Sequence, residues 1–407
     1  MPVSRIFSWS QRDWYFILML GEKMRSIILF IFISLTAVSS GWAKSPIAEG
    51  TKIELYRAGT RQIDEEEKKK PPPPREGLHV IRYKGGQVHY EENYKQGKLN
   101  GLTKVYYPNG QLLTEKNYKD NKLDGDFKTY GVNGKLKLHE VYRNGLRHGA
   151  FRNYYDEGTL REEKVYDNAQ LVSLKKFRPN GDPILEENYK NGKKDGVVRV
   201  YFADGKLSTE RHYKANRLDG YTKIHYDSGQ LIEEGNYTDH KRNGLFTFYY
   251  PNGNLQNEIT YKDNIKEGPF KDYYEGGVIK GEGFYKLDIA DGLLKQFAPD
   301  GMPVSEMTYT LGEMNGPVRQ YFPNGRVSYE GNFQYNIQHG PYRGYHENGK
   351  VKEEGNYYFG QQNGIVKFYR DNGVLEGEET YDKDTLVEVR NYDETGNLIT
   401  DKSKGKK

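Results

Sequence analysis

The sequence predicts an all-β fold: an elongated, single-layer antiparallel meander of about 14 β-hairpin repeats, each 23–24 residues long. Three observations predict it. The stretch Gly101–Asp124, "GLTKVYYPNGQLLTEKNYKDNKLD", restarts in altered form at Gly125 and keeps restarting to the C-terminus. Each copy holds a short run rich in Tyr, Phe, Val and Thr, then turn residues such as Asn-Gly or Asp-Gly, then a second run that carries an aliphatic and an aromatic residue. Only 35% of the chain is hydrophobic while Tyr occurs 36 times. That suits a thin structure, because a tyrosine buries its ring and keeps its hydroxyl wet.

With the leading glycine as position zero, registers begin at Gly77, Gly101, Gly125, Gly149, Val172, Gly196, Gly220, Gly244, Gly268, Gly292, Gly316, Gly340, Gly364 and Val387, giving thirteen full units and one half unit. The ninth position is glycine in every register: Gly86, Gly110, Gly134, Gly158, Gly181, Gly205, Gly229, Gly253, Gly277, Gly301, Gly325, Gly349, Gly373 and Gly396. These read as structural turn glycines. Position five is aromatic in twelve registers, position seventeen in all thirteen full units, and position fourteen is Glu in twelve of those thirteen.

Pro108, Pro179, Pro251, Pro299 and Pro323 stand two residues before the turn glycine. A two-residue loop would require an N–H there, which proline lacks. A type I turn closed by a left-handed glycine as a G1 bulge accepts it. That register sets Tyr106 opposite Leu112. A rival register sets the basic residue of position three opposite the Glu of position fourteen, as in Lys104–Glu115, and the proline argument favours the bulged turn. The polar stretch "KDNKLDG" at 119–125 joins each hairpin to the next, so neighbouring strands pair antiparallel.

The flanks differ in character. From Met24, "MRSIILFIFISLTAVSSGWAKS" combines a basic start, an apolar run at Ile27–Val38 and a small-x-small site at Gly41–Ala43, the plan of a secretory signal peptide. The rival reading, an uncleaved anchor lengthened by Tyr15–Leu20, is interrupted by Glu22, Lys23 and Arg25. Residues 1–43 thus read as an extension plus signal peptide (24–43), with Met24 as the start, and the expected location is the periplasm or cell surface of a bacterium. Residues 44–76, with a charge run and Pro71–Pro74, read as a disordered spacer. The array occupies 77–399, and 400–407 is a basic tail.

Chemistry is hard to place in such a chain. It has no Cys, which excludes thiolate nucleophiles, thiolate metal sites and disulfides. No phosphate loop, serine elbow or zinc helix occurs, and the nine His are scattered. Adjacent acids such as Glu233 and Glu234 alternate faces on a strand and cannot act as an acid–base couple. The expectation is a non-enzyme with no cofactor and no metal. A net charge of +4 over 407 residues gives no reason to expect nucleic acid.

Residues 244–268 and 340–364, "GLFTFYYPNGNLQNEITYKDNIKEG" and "GPYRGYHENGKVKEEGNYYFGQQNG", resemble the bacterial variant of the MORN repeat, and the resemblance covers 77–399. It implies a single-layer array of hairpins. Proteins of that family are often described as antitoxins of toxin–antitoxin modules, or labelled after kinases that carry related repeats; no residues remain here for a kinase domain.

The functional expectation is an exported, non-catalytic scaffold binding another, unidentified protein, antitoxin- or immunity-like. Long repetitive surfaces sum weak contacts, and departures between copies supply specificity. The irregular copies at Val172–Asn180 and Gly268–Asp291 are therefore the candidate partner site, with Tyr273, Tyr274, Phe284, Tyr285 and Phe177 as its residues. The second reading is a glycan- or cell-wall-binding module, which the placement of all three Trp before residue 43 argues against. Peripheral membrane contact through the basic third position is opposed by the matching acidic column.

Overall fold

In a computed structural model the described residues are 75–403, so the expected extension, the signal peptide and all but two residues of the spacer lie outside them. All regular structure among the described residues is β, in 34 strand segments paired antiparallel. Six segments of two residues, such as Lys98–Leu99, are the front portions of strands interrupted at the residue before the leading glycine. Each repeat therefore supplies two strands, as the period predicts. The last, Leu398–Ser403, runs past the expected boundary and pairs with Thr385–Tyr392, so the start of the expected tail continues the sheet.

The first turn of each unit is the bulged type I turn. In Tyr107–Gln111, the Gly110 N–H donates to the Tyr107 carbonyl at 2.9 Å and the Tyr107 N–H to the Gln111 carbonyl at 2.8 Å. Gly110 has φ +85°, and all fourteen turn glycines have positive φ. Pro108 sits inside this turn and owes the ladder no N–H.

The register beyond the turn corrects the sequence reading, which treated two pairings as alternatives. Tyr106 lies opposite Leu112, as the bulged turn requires. One residue later the strand slips, leaving Leu113 unpaired, and Val105 meets Thr114 while Lys104 meets Glu115. The same shift recurs at the corresponding step of the other hairpins, as at Gln320/Tyr321 and Phe368/Tyr369. A bulge on strand two thus lets the proline-compatible turn and the Lys–Glu pairing coexist.

The second connection is a two-residue loop. Asp120 and Asn121 have φ +50° and +65° between the paired Lys119 and Lys122, the geometry of a type I′ turn. The leading glycine follows as a wider irregularity: Gly125 has φ +106°, and a Cβ on it would stand 3.3 Å from that of Asn117. The Asn117 side-chain amide donates to the Asp126 carbonyl at 3.3 Å, as Asn93 does to that of Leu102 at 2.6 Å. Gly125 thus marks a bend within a strand and not its start.

Strand alternation sorts the positions onto two faces. Position two forms the most buried row, including Phe151, Leu174, Val198, Phe246, Phe270, Val318, Tyr342 and Val366. Phe151 and Phe246 lie between the position-seventeen tyrosines of their own and the preceding repeat. Phe246, fully buried, meets the Tyr237 and Tyr261 rings edge-on at 5.3 and 5.4 Å, and Phe151 meets Tyr142 and Tyr166 at 5.4 and 4.9 Å. The tightest cluster is Phe246, Ile259, Tyr261 and Phe270. Arg242 lies over the rings of Phe246, Phe248 and Tyr261 at 5.0–5.5 Å and pairs with Glu233 at 3.0 Å.

Candidate partner-binding surface

The opposite face carries positions one, three, five, fourteen and sixteen. Its spine is a charge ladder. Arg152–Glu163 (2.6 Å), Arg199–Glu210 (2.7 Å), Arg319–Glu330 (2.8 Å) and Arg343–Glu354 (3.0 Å) join positions three and fourteen within a hairpin. Lys128–Glu115 (3.4 Å) and Arg199–Glu186 (3.5 Å) join them across repeat boundaries. Position five then caps the carboxylates from the next repeat: Tyr130 donates to Glu115 at 2.8 Å, Tyr249 to Glu234 at 2.6 Å, Tyr345 to Glu330 at 2.8 Å and Tyr369 to Glu354 at 2.9 Å. The half unit completes the pattern with an aspartate, Arg390 facing Asp401 at 3.5 Å.

These contacts set the electrostatics. The Tyr345 hydroxyl, with Arg319, holds Glu330 below the usual carboxylate range; Tyr369, with Arg343, does the same for Glu354. Burial, then the hydrogen bond to Glu258, pushes Tyr273 up to about 12. A carboxylate already engaged by a cation and a phenol is a poor general base and a good rung of a scaffold. Among the described residues no group of three or more His, Asp and Glu side chains is arranged to hold a metal ion.

Position six adds a second inter-repeat ladder that the sequence analysis missed. The hydroxyls of Tyr83, Tyr107, Tyr155, Tyr250 and Tyr274 donate to the position-five carbonyl of the following repeat at 2.7–3.0 Å. Arg178, His346 and Arg370 replace tyrosine in the same role. The signal was present as an aromatic beside the position-five aromatic, but a hydroxyl aimed along the sheet has no periodic signature of its own.

The structure disperses the five candidate residues. Tyr273 donates to Glu258 at 2.8 Å and Tyr274 to the Phe297 carbonyl at 2.9 Å, as rungs of the two ladders. Tyr285 packs on Phe270 at 4.4 Å on the aromatic face. Phe177, opposite Pro183, lies four repeats before the others. Phe284 is exposed on the charged face, opposite Pro269.

Phe284 belongs to a row that the sequence analysis did not single out. Leu293, Pro317, Pro341 and Ile365, all at position one, continue it as exposed apolar residues. Beside them run Lys295, Arg319, Arg343 and Lys367. Between residues 317 and 367 the two rows border a shallow groove of about 540 Å³, lined by Pro317, Arg319, Glu330, Pro341, Arg343, Glu354 and Ile365 among others. Apolar knobs beside a charged rail suit a recognition surface.

An open sheet of stacked hairpins with a ladder face and an aromatic face defines a β-hairpin repeat protein. Nine segments match the MORN repeat variant model: residues 99–120, 147–168, 194–215, 218–239, 242–263, 266–287, 314–335, 338–357 and 362–383. The chain belongs to the MORN repeat variant family. No curated protein matches it. Among solved structures it is similar to a chain in the TcdB2–TccC3–Cdc42 crystal structure, with 13% identity, 81% of this chain and 18% of that one covered, and a TM-score of 0.18. A Photorhabdus luminescens Tc holotoxin pore gives 13%, 81%, 18% and 0.17. The chain spans under a fifth of the length of these chains, and superposition this poor bears on neither fold nor function.

Proposed function

We propose that the protein is an exported, non-catalytic scaffold that binds another protein along its charged face, in the manner of an antitoxin or immunity partner. The observation that carries this reading is the row from Phe284 through Leu293, Pro317, Pro341 and Ile365, exposed beside a rail of basic side chains. Membership in a repeat family whose modules commonly bind proteins or membranes supports it. The partner offers apolar groups to the row and polar groups to the Arg319–Glu330 and Arg343–Glu354 rungs beside it. Export rests on the apolar run at Ile27–Val38 and the site at Gly41–Ala43.

Affinity capture from bacterial envelope extracts tests this reading, comparing the wild type with a Phe284→Ser/Leu293→Ser/Ile365→Ser variant. The changed side chains are about half exposed, so the fold should survive. A protein retained by the wild type and lost by the variant is the expected result. Equal retention by both would overturn the assigned surface, and the absence of any retained protein would overturn the function.

A further inference from the structure

The edge of the sheet formed by the two-residue turns changes character along the array. Each turn holds its first residue in the left-handed conformation, which favours Asn, Asp and Gly and penalises bulky side chains. Six of the eight earlier turns comply, with Asp120, Asn144, Asn168, Asn191, Asp239 and Asp263 at φ +46° to +53°, and the other two hold Gln96 and Ala215, neither a large apolar residue, at +51°. The next four do not. Leu287, Leu311, Tyr335 and Phe359 adopt the same conformation, at φ +47° to +53°, and are 50–61% exposed. Ile289 and Ile337 add exposed apolar surface beside them. Successive turns are linked, the Gly312 N–H donating to the Ala290 carbonyl at 2.9 Å and the Gly360 N–H to that of Gln338 at 2.8 Å. The four side chains therefore form one ridge, with a knob every two strands, or about 10 Å. Four unfavourable backbone positions kept in succession, each presenting a large apolar group to solvent, point to a surface that becomes covered.

We propose that the ridge is covered by a second copy of this chain, paired antiparallel about a two-fold axis between Leu311 and Tyr335. Three observations select this occupant. A second ridge has the same spacing, so four knobs meet four: Leu287 faces Phe359 of the other copy, and Leu311 faces its Tyr335. Six half-exposed apolar side chains at about 100 Å² each, with the turns around them, approach the ~800 Å² per partner of a standard interface. Charge then sets the direction. Basic residues face each other across early turns, at Lys95/Lys98, Lys119/Lys122, Lys190/Lys193 and Lys214/Arg217, so two such tracts repel. The antiparallel arrangement avoids that overlap and brings Lys262, one turn before the ridge, to Asp382, one turn beyond it on the other copy.

Sedimentation of the full chain tests the proposal. The wild type should sediment as a dimer and the Leu287→Asn/Leu311→Asn/Tyr335→Asn/Phe359→Asn variant as a monomer, with Kd raised at least about tenfold. Asn suits the left-handed position, so this variant should melt no lower than the wild type, and loss of pairing would not reflect unfolding. Lys262→Glu should weaken pairing, and adding Asp382→Lys should restore it. Because the chain has no Cys, a Leu311→Cys chain mixed with a Tyr335→Cys chain should form an oxidised mixed dimer in preference to Leu311→Cys homodimers. A monomeric wild type, a dimer unaffected by the four Asn changes, or preferential homodimer cross-linking would each overturn the proposal.

Discussion

Tyr345 reaches across a repeat boundary to place its hydroxyl 2.8 Å from the Glu330 carboxylate, which Arg319 of the preceding hairpin engages at the same distance. Each repeat thereby completes a contact that its neighbour begins. Tyr345→Phe should cost about 0.5–1 kcal/mol, since the bond is only partly buried. The pH dependence gives a sharper check. Glu330 and Glu354 are held below their ordinary values in the folded chain. Their stabilisation is present above the unfolded Glu value of about 4.3 and is lost as pH falls through the lower folded value. Thermal melts should be flat from about pH 7 to 5 and drop below about pH 4, with a shallower drop in Tyr345→Phe.

The tyrosines predict a matching loss at the alkaline end. Burial first, then hydrogen bonds to Glu115, Glu258 and Glu354, push Tyr130, Tyr273 and Tyr369 up to about 12. A raised phenol stabilises the fold below the unfolded value of about 10, and that contribution is lost as pH rises toward 12. Ultraviolet titration should show some tyrosines ionising near 10 and others only as the sheet melts. A single wave near 10 in a folded chain would contradict the ladder.

Gly235 has an ordinary extended backbone, yet a Cβ there would lie 2.5 Å from the Phe246 ring. Gly235→Ala should therefore destabilise by about 1–3 kcal/mol through overpacking. Combining it with Phe246→Leu should cost less than the sum of the two single changes, as a double-mutant cycle by denaturant unfolding would show.

Thr222 is 2% exposed in the position-two row, and its Oγ1 has no hydrogen-bond partner among the described residues. Thr222→Val keeps the shape and removes the buried hydroxyl, so it should stabilise by about 1 kcal/mol. Phe246→Ala in the same row should cost about 3–5 kcal/mol. A destabilising Thr222→Val or a near-neutral Phe246→Ala would contradict a buried row at position two.

The period, the turn glycines and the Glu column were legible because each is a single residue type at a fixed spacing. The buried row was not. Position two holds Phe151, Leu174, Val198, Thr222 and Tyr342 in different copies, so its common property, burial, is carried by no one residue. The leading glycine was visible as the end of the polar link at 119–125, but the place of Gly125 inside the strand Lys122–Tyr130 was not, since a glycine at a bend and one at a turn look alike in sequence. The charge pairing failed as an either-or choice because a slip at Leu113 satisfies both registers. Phe284 was found through the irregularity of its repeat. Leu293, Pro317 and Ile365 were missed because a position-one residue reveals its exposure only once the faces are assigned.

The central claim is that successive hairpins lie side by side in one open ladder. Spin labels on the cysteine-free chain test it through distances. Labels at Asn254→Cys and Arg326→Cys, three repeats apart, should be separated by roughly 29 Å, and at Asn254→Cys and Lys350→Cys, four apart, by roughly 38 Å. A separation growing by about 10 Å per repeat is the predicted result. A separation that stays level or shrinks as repeats are added would mean that the sheet folds back on itself, and would contradict the account.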